Sequence, residues 1–86
     1  MPEISRFYGI VIRMYFGDHN PPHFHVEYSG SKAVVSINTL GLIEGALPPR
    51  ALGMVTEWAS QHRSELLADW ERAQNLEPLE KIEPLP

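Results

Sequence analysis

Residues 6–16, RFYGIVIRMYF, and residues 23–28, HFHVEY, decide how this chain folds. The second stretch alternates strictly: Phe24, Val26 and Tyr28 fall on one side, and His23, His25 and Glu27 on the other. A period of two places alternate side chains on opposite faces of a strand. The first stretch is rich in β-branched and aromatic residues and ends at Gly17, Asp18, Asn20, Pro21 and Pro22, which predicts one long strand closed by a loop. Its even positions, Tyr8, Ile10, Ile12, Met14 and Phe16, are the expected core face. Arg13 and Tyr15 then emerge on the opposite face.

Outward from this pair, Ser29-Gly30-Ser31 predicts a tight turn into a third strand over about Lys32 to Ile37. Leu42 to Glu44 offers a short fourth strand. Pro48-Pro49 suits the first turn of a helix that runs to about Asn75, with Gly53 and Ser60-Gln61-His62 as places where it can break. Leu52, Val55, Trp58, Ala59, Leu66, Trp70 and Ala73 form its apolar stripe, and His62 falls within that stripe as an expected hydrogen-bonded core histidine. The expected fold class is α+β: a small antiparallel sheet of three to four strands, followed by a C-terminal amphipathic helix or helical hairpin packed on one face. One domain is expected over 1–76, with a Pro/Glu-rich extended tail over 77–86 that forms a strap or a free end.

Composition narrows the function. Eighty-six residues, 43% of them hydrophobic, suit one globular domain with a modest core. The absence of cysteine excludes disulfides and thiolate metal sites. No apolar run approaches the length of a membrane span, and MPEISRF lacks the features of a signal peptide, so the cytoplasm is the expected compartment. Residues 1–43 balance three acids against three bases, whereas residues 44–86 carry eight acids and four bases. With no basic run, tight non-specific binding of DNA or RNA by this chain alone is not expected.

Pairing the first two strands by their apolar faces gathers Arg13, Tyr15, His23, His25 and Glu27 on one patch. The loop adds Asp18, His19 and Asn20 at its end as binding residues. Two chemistries suit the patch. In metal-free acid–base chemistry, His25 or His23 moves protons, Glu27 orients the imidazole, Arg13 takes a phosphate and Tyr15 donates or stacks, a set suited to cleaving RNA without a cofactor. In metal binding, His23 and His25 project side by side, and His19 or Asp18 completes a site for a divalent transition metal; His19, His23 and His25 are the first candidate ligand set. A cross-strand Arg13–Glu27 ion pair and an Asx-capped, proline-stiffened turn are the plain structural alternatives.

ISRFYGIVIRMYFGDHNPPHFHVEY resembles the opening of a family of small bacterial proteins known only as a domain of unknown function. LPPRALGMVTEWASQHRSELLADWERA and EPLEKIEPLP resemble it too. Arg13, Tyr15, Asp18, His19, Asn20, Pro21, Pro22, His23, Phe24 and His25 match the family's motif, but no role for them comes with the resemblance. Such genes typically lie beside another small gene, as in toxin–antitoxin pairs. The resemblance therefore implies a toxin-side or partner-binding role, with a small, antitoxin-like partner; RNA is the expected substrate if the patch is catalytic, although the acidic balance departs from that of a free RNA-cleaving toxin. The competing expectation is a non-catalytic module that binds a partner protein through the patch and the acidic helix face.

Overall fold

A computed structural model describes residues 2–86, so that Met1, at the start of the expected 1–76 domain, lies outside the described residues. The fold is α+β. Five strands, β1 (Glu3–Phe7), β2 (Ile10–Arg13), β3 (His23–Tyr28), β4 (Ser31–Ser36) and β5 (Leu42–Gly45), form an antiparallel meander. Two helices follow, α1 (Pro49–Gln61) and α2 (Arg63–Gln74).

The expected count of three to four strands needs correction, because the long first strand is a hairpin. Tyr8 and Gly9 both take positive φ (50° and 79°), the conformation of a tight turn whose twist matches that of its flanking strands. The chain reverses there, and Phe7 pairs with Ile10. This reversal shifts the parity of everything before it. Phe7, expected on the outer face, is buried with its ring centroid 5.4 Å from that of Trp58. Tyr8, expected in the core, is 61% exposed. Phe16 is also exposed, since β2 ends at Arg13 and the chain leaves the sheet's alternation before reaching it.

From Ile10 onward the expected pairing holds. Ile10 faces Tyr28, Ile12 faces Val26, and Arg13 faces His25 across β2 and β3. Ser29 and Gly30 make the next turn, both at positive φ, and Leu42–Gly45 forms the edge strand. At Gly45 a Cβ would collide with the Lys32 carbonyl oxygen, so this close approach between β4 and β5 admits only glycine.

The helical segment passes through Gly53 unbroken and divides at His62, whose φ of −128° is not helical. Trp58, Leu66, Trp70 and Ala73 join Ile10, Ile12, Phe24, Val26 and Val35 in one apolar core. Segment 77–86 has no regular secondary structure and lies across the outer edge of β1. Ile82 N–H donates to the Ile4 carbonyl at 2.8 Å, and the Trp58 indole N–H donates to the Glu83 carbonyl at 2.8 Å. Buried Asp69 accepts from the Glu80 N–H at 2.9 Å and from Arg72 at 2.7 Å. The strap thus covers one sheet edge and supplies a core residue. Ile82, only 4% exposed, should behave as one: Ile82→Ala is expected to lower unfolding free energy by about 2–5 kcal/mol in chemical denaturation. A loss below roughly 0.5 kcal/mol, the scale of an ordinary surface change, would show that the strap does not hold the core.

Candidate functional site

The site forms where loop 14–22 leaves the sheet and turns back to β3. Backbone bonds fix its ends. Met14 N–H donates to the Pro2 carbonyl, Gly17 N–H to the Ala73 carbonyl, and Ile37 N–H to the Pro22 carbonyl. The Gln74 amide also donates to the Asp18 carbonyl at 3.0 Å. The last turn of α2 therefore holds the loop against the start of β3.

This docking changes the environment of His23. Alternation places it on the face opposite the core, yet it is 8% exposed, because α2 closes over the end of the strand. Its ring centroid lies 5.1 Å from that of Trp70 and 5.2 Å from that of His25. Its Nδ1 sits 2.7 Å from the Pro21 carbonyl oxygen. A carbonyl can only accept, so Nδ1 carries a hydrogen. Its Nε2 points the other way, 2.8 Å from Asp18 Oδ2.

His25 Nε2 reaches the same oxygen at 3.0 Å. One carboxylate oxygen thus faces two imidazole nitrogens, and the potential ligand atoms of Asp18, His23 and His25 lie within 4.8 Å of one another. Asp18 Oδ1 accepts from the His19 N–H at 3.0 Å. Burial pushes the Asp18 carboxyl up, but bonds from His25, the His19 backbone and His23, with the nearby His23 charge, outweigh it and hold the group below its usual range.

The remaining expected residues surround this centre. Tyr15 meets His25 edge-on at a centroid distance of 4.3 Å. Arg13 Nε donates to Glu27 Oε2 at 3.1 Å, so that the cation expected on a phosphate is engaged by the neighbouring strand's carboxylate. Tyr15, His25, Glu27 and Lys32 line one shallow cleft on the open face of the sheet. His19 and Asn20 are exposed on the loop, and the His19 ring is not part of the converging group. Of the residues weighed for a metal site, Asp18, His23 and His25 converge, and the His19 ring lies outside this group. The reason is local. Asp18 follows Gly17, whose contact with α2 turns the aspartate inward, while His19 enters an exposed turn.

Trp70 and Gln74 also build the site, and neither stood out in the sequence as part of it. Trp70 carried a signal only for the core, and Gln74 carried none.

A family model for a domain of unknown function (DUF4160) matches residues 9–71. The chain belongs to this family. No curated protein and no solved structure matches it. The matched span includes every residue of the converging group and most of both helices, and the strap lies outside it. No helix among the described residues is long and apolar enough to cross a membrane.

The lowered carboxyl of Asp18 has a stability consequence in metal-free protein. A carboxylate whose pKa falls on folding stabilises the fold above its unfolded value, about 3.9, and loses that contribution as pH drops through the lower folded value. Asp18→Asn should therefore destabilise the protein most above about pH 4, with the difference narrowing at more acid pH. Chelator-treated samples unfolded in urea across pH would show this. A difference that grows on acidification would contradict it.

Proposed function

We propose that this protein is a metal-binding domain in which Asp18, His23 and His25 hold one divalent transition-metal ion. The observation that carries this reading is the orientation of His23. The Pro21 carbonyl takes up Nδ1, which leaves Nε2 directed at an anionic oxygen and beside a second imidazole nitrogen. In neutral His23 that nitrogen offers a lone pair, and two acceptors facing each other need a cation between them. Either a second proton on the ring or a metal ion can meet that need. Metal-ligating histidines commonly donate their other N–H to a carbonyl or carboxylate, as His23 does to Pro21. Ligand atoms about 2.1 Å from a metal and at right angles lie about 3 Å apart, close to the separations found around Asp18 Oδ2. Two imidazoles and one carboxylate leave coordination positions for water or substrate, as in catalytic zinc and non-haem iron centres.

Chelator-stripped protein titrated with zinc, nickel and manganese should bind about one equivalent of at least one of them. His23→Ala or His25→Ala should weaken binding by more than about 100-fold, whereas His19→Ala should leave it unchanged. Absence of binding in the folded wild type, or dependence on His19 instead of Asp18, would overturn the reading.

A second reading uses the same patch without metal, and its support is the cleft shared by Tyr15, His25 and Glu27. There Asp18 orients His25 for proton transfer in RNA cleavage by a toxin-side protein restrained by a small partner. Growth arrest on expression, relieved by the adjacent gene, abolished by His25→Ala and insensitive to metal content, would favour it. Arrest without dependence on His25 would remove the catalytic assignment and leave a partner-binding surface.

A further inference from the structure

A second cleft, of about 600 Å³, opens at the far end of β3 from the histidines. Its volume falls in the range of small-molecule sites. Tyr8, Tyr28, Arg50, Met54, Glu57 and Gln61 line it. Three observations suggest a ligand of defined chemistry.

Tyr8 is held at a φ of 50°, a conformation that favours asparagine or glycine at this turn position and costs a tyrosine free energy. The turn nevertheless presents its ring, 61% exposed, at the cleft. Tyr28 supplies a second ring from β3, packed beside the same turn: a Cβ on Gly9 would stand 3.7 Å from Tyr28 Cε1. Arg50, Glu57 and Gln61 also line the cleft and share one side of α1 at spacings of seven and four residues. At 1.5 Å per residue, Arg50 and Glu57 are about 10 Å apart along the axis. Among the described residues neither side chain has an ion-pair or hydrogen-bonding partner.

We propose that this cleft binds a nucleoside monophosphate with an amino-bearing base, guanine fitting best. The tyrosines give the base a stacking surface, as aromatic side chains do for unstacked nucleobases. The Glu57 carboxylate accepts from the ring N–H and exocyclic amino group of guanine, Gln61 adds a donor and an acceptor, and Arg50 binds the phosphate at the other end. The acidic balance of residues 44–86 disfavours a long polyanion, which points to a free nucleotide, although the terminal nucleotide of an RNA presents the same chemistry. This inference does not depend on the metal reading.

The full chain, titrated with GMP, guanosine, inorganic phosphate and a short single-stranded RNA and followed by amide chemical shifts, tests it. GMP should shift residues around Tyr8, Tyr28 and Arg50 saturably, guanosine should bind more weakly, and phosphate alone should not saturate them. Tighter binding of the RNA at the same residues would support the cleft chemistry and assign the nucleotide to an RNA end. Tyr8→Asn provides the decisive variant, because it relieves the turn while removing the ring. It should raise the melting temperature and weaken GMP binding about tenfold. GMP binding unaffected by Tyr8→Asn, equal binding of guanosine and GMP, or no saturable shift with GMP or RNA would overturn the proposal.

Discussion

A single carboxylate oxygen, Asp18 Oδ2, stands between two imidazole nitrogens at 2.8 and 3.0 Å, and the arrangement around it depends on three separate parts of the chain. The β2–β3 pairing places His25 on the open face of the sheet opposite Arg13. The Gly17 contact with Ala73 and the Gln74 bond to the Asp18 carbonyl bring the aspartate in from the loop. The Pro21 carbonyl orients His23. A negative charge so placed attracts a cation, and the geometry accommodates a metal ion or a proton. Binding a metal here would tie loop, strand and helix together and add its binding free energy to the stability of a small fold.

That fold has limited apolar area to draw on, and its periphery reflects this. The strap contributes Ile82 to the core and bonds to β1, α1 and α2. It also covers the outer edge of β1, which would otherwise present unpaired backbone groups. Among the described residues none gives the β5 edge such cover, and its Leu42 and Ile43 remain exposed. The two ends of β3 differ: one carries the His/Asp cluster under α2, the other the tyrosine-lined cleft beside α1.

Much of this was legible in the sequence, for identifiable reasons. HFHVEY alternates without exception, so the faces of β3 and the grouping of Arg13, His25 and Glu27 followed from parity. The Ser29-Gly30 turn and the helix start at Pro49 were marked by residues with strong backbone preferences. The Tyr8-Gly9 turn was hidden because a tyrosine occupies a position where asparagine is the usual signal, and an apolar run therefore read as one strand. That single reversal misplaced Phe7 and Tyr8. The burial of His23 was invisible for a different reason: it arises from α2, about fifty residues later, and strand periodicity carries no record of a helix closing over a strand end. That Asp18 and not His19 converges on the two histidines likewise depends on which way a loop turns, which residue type alone does not decide.

The most direct measurement of the central claim is the tautomeric and coordination state of His23, read from imidazole ¹⁵N shifts in metal-loaded, isotope-labelled protein. The account predicts a hydrogen on Nδ1, facing Pro21, and a deprotonated Nε2 whose shift moves on metal binding together with that of His25. A hydrogen on His23 Nε2 with metal present, or shifts at His19 in place of His23, would contradict it.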